Sequence, residues 1–582
     1  MKTRWQLQDY FYSGLKDPKF TKDWSLLEAS ADKLTKRYKG KLVKLKPKEW
    51  LVFLEFQNKL GLPGARIGQY LSLSSSLDSQ NQILLKKIGE LHLLGAQLSN
   101  KTLWIDEELK KLGSKKLRLL GKKLPKYQNF FNQTAKSLKF LLPEPIEEVL
   151  NLTEQSGVVA FQRLYKELTS SFKFDVNGEM LTDAEARTLR TSPDPKIRKA
   201  AHKAFAKVYT EDKIQITLGS VYKSIVRDWV TSVDMRKYSQ VMSPHNIYEE
   251  LDDETVDLLL KEVKASFPLY QRYLKWKAKK MKMKKINSYD LFAPFSSKMK
   301  EVPFKETYKL VIKAFDSFSK KFGDYAKDMF TGRVDVYPKH GKSGGAFASY
   351  QKGFESFVML NYTGEFEDMH VVAHELGHAI HGSLSQKQPP QLFHSPLSLA
   401  ETASVFSEML FAEHLLPTLK KQDKLAFKTK FIETAFATIQ RQVQYVLFER
   451  EVHSIMQKGH ELTYKDFNIL WRRHQENLFG DIVEFDLPSE QDYGWSAIPH
   501  IHMVPFYCYA YAFGNLLTFA LFKKVKENPK FVKHYTEILE SGGSKPPYEL
   551  LKEHGIDIKK PEFYRAGLDE LKRLVEELER SF

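Results

Sequence analysis

Apolar residues along this chain recur mostly at intervals of three and four. Leu84, Ile88, Leu91 and Gly95 make one such stripe, and Val256, Leu259, Leu260, Val263 and Phe267 make a second that stops before Pro268. Leu568, Leu571, Val575 and Leu578 make a third. That spacing matches the 3.6-residue turn and predicts helix over most of the chain. "SPDP" at 192–195 combines a helix stop with a helix restart, which predicts a boundary there, with an N-terminal helical part over 1–190 and a second part over 191–582. The period changes only between residues 333 and 361. "RVDVY" and "SFVMLN" are short and rich in β-branched and aromatic residues, with the glycine-rich "GKSGGAF" between them, so a small sheet with a mobile loop is predicted.

Composition narrows the picture. With 582 residues, 42% of them apolar, the chain has enough hydrophobic material for substantial cores, which excludes disorder as the default. The formal charge of +18 suggests nucleic acid, but the lysines are interleaved with acids and apolar residues, as in "DEELKKLGSKKLRLLGKKLPK". Such faces are solvated helix surfaces, and no nucleic-acid partner is expected. The lone cysteine, Cys508, excludes an intramolecular disulfide and a thiolate metal cluster, so any metal site must use histidine and carboxylate. "MKTRWQLQDYFYSGLKD" lacks the apolar core of a signal peptide, and no run of about 18 apolar residues occurs, so a cytoplasmic protein without a membrane partner is expected.

The candidate chemistry lies in "HVVAHELGHAIHG", residues 370–382. His370, His374, His378 and His381 all fall on one helical face, so angle alone does not choose among them. A catalytic zinc requires two imidazoles one turn apart, a third ligand, an open position, and a carboxylate beside the water it activates. Only His374 and His378 enclose such a base, Glu375, in the pattern His-Glu-x-x-His. Gly377 inside this helix lowers its propensity by about 1 kcal/mol, which predicts a close packing partner. In "LAETASVFSEML", Glu401 and Glu408 lie a heptad apart on a mostly apolar predicted helix, where buried acids need a partner. Glu401 is the expected third ligand. Glu408 is expected to accept the ring N–H of a liganding histidine and so fix its tautomer.

A third cluster, "IPHIHMVPFYCYAYAFG", offers His500, His502, Tyr507 and Tyr511. Pro505 is expected to start a helix on which Tyr507 and Tyr511 share a face, with phenols suited to hydrogen-bonding an oxyanion.

Taken together, "HELGHAIH", "ETASVFSE", the tyrosine-rich segment and "GKSGGAFASY…SFVMLNYTG" resemble the oligopeptidase F branch of the thimet-oligopeptidase-like zinc peptidases. The resemblance implies a mainly α, two-lobed helical clam-shell with a deep channel, in which 1–190 form the helical N-terminal part and 191–582 the catalytic part, with the small sheet beside the zinc-binding helix. It implies one Zn2+ per chain on His374, His378 and Glu401. Short unfolded peptides would be cleaved at internal bonds by water bound to that zinc, with Glu375 as general base. His500 keeps the family's Pro-His context, whereas His502 has the spacing to Tyr507 and Tyr511 of the thimet-type relatives, so both stand as candidates. The strand at 356–361 is expected to take peptide by β-addition and the loop 341–345 to move over it. Two other readings are a helical scaffold whose structural zinc takes His370 or His381 as a fourth ligand, and a basic nucleic-acid-binding protein. The preferred peptide side chains and the oligomeric state are not legible.

Overall fold

The computed structural model describes residues 1–295, 301–485 and 488–582. It is mainly helical, with only short strands, as the apolar spacing predicts. The three stripes lie on the helices Gln82–Thr102, Asp253–Ala265 and Pro561–Ser581, except that Phe267 of the second opens the next helix, Phe267–Lys280. After "SP" the chain restarts a helix at Pro195, where the Asp194 side chain accepts the Lys196 N–H as an N-cap.

The chain forms two compact units, each assembled from three stretches. The first comprises Met1–Lys139, Lys300–Thr418 and Lys524–His554. Its small sheet contains β1 (Val334–Asp335), β2 (Phe347–Ser349) and β3 (Phe357–Met359), in the order β1-β3-β2. β3 pairs parallel with β1 and antiparallel with β2, and it is buried along its length. This corrects the expectation that residues 356–361 accept a peptide strand. Both sides of β3 are already paired; of the two edge strands, β1 is flanked by the N-terminal segment, where the Thr3 carbonyl accepts the Val336 N–H at 3.1 Å, and β2 is a strand not anticipated from the sequence.

N-terminal residues close over the sheet. Trp5 donates its indole N–H to the carbonyls of Arg333 (3.0 Å) and Val358 (2.9 Å), and Trp5, Tyr10 and Phe11 surround the Phe357 ring. On the other side lies helix α1 (Phe366–Leu384), to whose Ala379 carbonyl Ser356 donates a hydrogen bond of 3.1 Å. Helix α2 (Thr402–Leu415) packs along α1, and helix α3 (Phe531–Glu540) seats its buried Tyr535 on Phe406 of α2, ring centroids 4.1 Å apart.

The glycine loop is more firmly held than its composition predicts. The Gly341 carbonyl accepts from the Ser79 N–H (2.7 Å), Ser343 donates its N–H to Ser76 (2.8 Å), and Asn361 donates to the carbonyls of Ser343 and Gly345. Lys342 is buried, paired with Asp335 at 2.6 Å and bonded to the Leu360 carbonyl.

The second unit comprises Phe140–Met299, Leu419–Lys523 and Gly555–Phe582. Its core is aromatic: Tyr222, Phe448, Phe467, Trp471 and Trp495 pack together among the helices Asp212–Arg236, Gln440–Gln457 and Tyr464–Phe479. No helix among the described residues is long and apolar enough to cross a membrane.

Candidate metal centre

Gly377 explains how the site is assembled. A Cβ at this position would lie 2.6 Å from the Ala403 carbonyl and 2.7 Å from the Ser407 hydroxyl, so only glycine lets α1 and α2 approach this closely. The close partner predicted for Gly377 is therefore α2. Gly382, one turn further on, meets the Tyr350 ring in the same way, at 2.4 Å.

The approach brings four of the expected residues together. His374 and His378 turn their Nε2 atoms toward the same Glu401 oxygen, at 3.6 and 3.4 Å. These three side chains form a group of suitable spacing to hold one metal ion. Glu408 meets His374 from the other side, its carboxylate 2.5 Å from Nδ1, so the imidazole is held with Nδ1 as donor and Nε2 available as a ligand. Glu401 is no mid-helix residue. It lies between the short helix Leu397–Ala400 and α2, and its carboxylate accepts a 2.7 Å hydrogen bond from the Ser404 hydroxyl. Glu375 is buried beside them, 7% exposed.

Charge points the same way. Burial pulls His374 down, but the hydrogen bond to Glu408 and the charges of Glu408, Glu401 and Glu375 outweigh it and lift the imidazole to about 9. Burial pushes Glu401 up, and the histidines and Ser404 more than reverse this, holding it at about 2. Glu375 is raised, by burial first, with Glu401 and Glu408 adding to the rise against the two histidines. Three carboxylates around two imidazoles thus favour added positive charge, and the donors are those a borderline divalent cation takes. The residues fit a metal.

Neither rival histidine joins the group. His381 is buried against the backbone of Ala400, and burial holds it down at about 4. His370 packs edge-on against Phe411, at 5.4 Å. A closed four-ligand structural site therefore lacks its fourth histidine.

The tyrosine-rich segment belongs to the second unit, and here the structure separates the two candidate histidines. His500 gathers with the tyrosines: its Nε2 lies 3.3 Å from the Tyr511 hydroxyl and its ring stacks on Tyr507. His502 is fully buried between Tyr165, Tyr222 and Trp495, its Nδ1 bonded to the Ile498 carbonyl at 2.9 Å. Enclosed on all sides and held down at about 4 by burial, it has no surface to offer a substrate. Of the two candidate histidines, His500 is thus the one grouped with Tyr507 and Tyr511, and His502 the one enclosed in the interior.

The helix expected from Pro505 begins instead at Tyr509, after a turn in which Phe506 adopts a left-handed φ of 65°. That turn is held by a residue the sequence reading missed. Glu449, fully buried, accepts the Phe506 N–H at 2.9 Å, and burial lifts its carboxyl to about 8. The signal was present in "YVLFEREVHSIM", where Glu449 is an acid on an otherwise apolar face. Tyr507 and Tyr511 still meet, ring centroids 5.2 Å apart, although only Tyr511 is helical.

A histidine pair one turn apart, closed by a carboxylate and oriented by a second one, beside a buried glutamate, is the constellation of a metallopeptidase. The comparisons with known proteins then fix the lineage: the chain belongs to peptidase family M3, whose model matches residues 188–570, and a second model, described as oligopeptidase F, matches residues 108–174. Oligopeptidase PepF of Bacillus subtilis is 26% identical, with 99% of this chain and 88% of that protein aligned. An oligoendopeptidase F homolog of Borreliella burgdorferi is 25% identical over 89% of this chain and 88% of its own length. Among solved structures, oligoendopeptidase-F from Enterococcus faecium superposes with a TM-score of 0.71 at 21% identity, covering 97% of this chain and 98% of its own. The same mainly helical fold is shared by a Chlamydophila abortus protein, with a TM-score of 0.85 at 22% identity over 100% and 98% of the two chains.

Proposed function

We propose that this metallopeptidase is a zinc-dependent endopeptidase of short, unfolded oligopeptides, with one zinc held by His374, His378 and Glu401. The observation that carries the reading is the convergence of the two Nε2 atoms on one Glu401 oxygen, next to buried Glu375. When bound, zinc supplies Lewis acidity, which polarises water and the scissile carbonyl. Glu375 takes the proton from the attacking water and delivers it to the leaving amine, a role suited to a carboxyl raised by burial. Glu408 keeps His374 oriented and basic. His500, Tyr507 and Tyr511 are assigned to hydrogen-bonding the substrate's carbonyl oxygen as charge develops there. Peptide main chain is assigned to the edge of β2, where ladder bonding accepts many sequences.

The names of the relatives support the oligopeptide preference. The division at 190/191 into N-terminal and catalytic parts is part of the proposal, supported by an M3 match that begins at 188 and an oligopeptidase F match that ends at 174. So is a cytoplasmic setting, consistent with a single buried cysteine and tested by cell fractionation.

Metal analysis paired with cleavage of a quenched peptide, with and without chelator, tests the whole. Zinc loss in His374→Ala and Glu401→Ala, together with chelator-sensitive internal cleavage, is expected. Full zinc retention in either variant, or digestion of intact folded proteins, overturns it.

A further inference from the structure

A second group of metal-ligating side chains lies on the first unit, away from the residues assigned above. His534 and Glu537 are one turn apart on α3, and His554 caps the end of the next helix, Pro547–Glu553. Their potential ligand atoms converge. The two Nδ1 atoms are 3.1 Å apart, and a Glu537 oxygen lies 3.7 Å from the first and 3.9 Å from the second. A tetrahedral ion with bonds near 2.0–2.1 Å holds its donors about 3.3 Å apart, so these separations need only small side-chain adjustment. They are comparable with the 3.4 and 3.6 Å found between the ligand atoms of the His374 centre.

The two Nδ1 atoms can share one proton as an N–H···N hydrogen bond, and their lone pairs also face a common point together with the Glu537 oxygen, as ligands to one ion do. A cation between them satisfies both at once. Among the described residues, the other ion pair of the Glu537 side chain is a long contact to Lys533, 3.9 Å, on a lysine that is largely exposed and easily displaced. The side chains of His534 and Glu537 are 49% and 42% exposed, so an ion has an entry path and solvent can complete its coordination.

We infer that His534, Glu537 and His554 form a second, surface site for a borderline divalent cation of the zinc, nickel or copper class. An ion there ties α3 to the end of the following helix. Because α3 also carries Tyr535, whose hydroxyl donates to the Thr402 carbonyl and whose ring stacks on Phe406, the same ion braces the start of α2, next to Glu401.

Titration of chelator-stripped, full-length protein with Zn2+ against a chromophoric competitor tests the inference. The parent is expected to take up two equivalents, the second more weakly, with a further rise in Tm as it binds. In His554→Ala and His534→Ala the second uptake should weaken by more than about tenfold, the scale lost even when an outer partner of a ligand is removed. Peptide cleavage at one equivalent should match the parent, which also reports correct folding. His374→Ala should keep the uptake that depends on His554, so failure of the catalytic assignment and failure of this one are read separately. One equivalent in the parent, a second equivalent bound only at millimolar zinc, or an unchanged second equivalent in His554→Ala overturns the proposal.

Discussion

Glu375 and Glu449 are both buried carboxyls raised by burial, yet their neighbours give them opposite uses. Glu375 sits beside two imidazoles, so Glu375→Gln should keep the metal and lose about 10²–10⁴ in kcat, the usual contribution of a general base. Near-parental turnover would remove it from the mechanism. Glu408→Ala should instead weaken metal binding by roughly 10–100-fold while leaving Glu375 in place, measured by competition with a chelator. Glu449 faces a backbone N–H and a hydrophobic interior. Its carboxyl is raised to about 8, so the folded state retains a proton that the unfolded chain loses near its ordinary value of 4.5. The stability this contributes is complete below about 4.5 and is lost as pH rises through about 8. Thermal scans should therefore show the parent falling relative to Glu449→Gln across that window, by up to about 1.4 kcal/mol per pH unit. Parallel curves would contradict it. Of these residues, Glu375 was legible from its place between two histidines. The burial of Glu449 was legible from its place on an apolar face, but its role was not, because its partner is a main-chain group 57 positions away.

Between elements, the controlling contact is that of α1 with α2. Gly377→Ala should cost about 1–3 kcal/mol by overpacking, and it should weaken metal binding as well, because the displaced helix carries Glu408 and follows directly on Glu401. Denaturant melts and metal titration on one preparation would check both effects. In the glycine loop, Gly345 has φ +75° whereas Gly344 has open space around it. Gly345→Ala should thus cost about 1–2 kcal/mol, and Gly344→Ala should be nearly neutral. Equal effects would mean that the loop is not held as described. Helices were readable from their apolar stripes because that pattern is local. The pairing of β3 on both edges depends on β1, some twenty residues earlier, and no local period reveals it. The late start of the helix at Tyr509 likewise follows from the left-handed Phe506, a conformation imposed from outside its own segment.

At the level of the whole molecule, each compact unit draws on three separated stretches of chain, whereas the family match begins at 188. A fragment of residues 191–582 contains all the proposed metal ligands, yet it lacks Trp5, Tyr10 and Phe11, which cover Phe357. Expressed alone, it should be aggregated or protease-sensitive and bind metal poorly. A cooperative thermal transition in that fragment would show that the N-terminal stretch is dispensable. The three-stretch arrangement also sets a timetable for biosynthesis. Residues 1–139 leave the ribosome early, but the segment 524–554 that completes their unit is translated nearly four hundred codons later. At 5–20 residues per second this is a wait of roughly 20 to 80 s, during which the early stretch lacks partners such as the Gly543 carbonyl that Asn129 binds at 2.8 Å. For a protein built this way, chaperone protection of the nascent chain is expected to raise the yield of folded protein, and slowing translation between those two segments is expected to lower it.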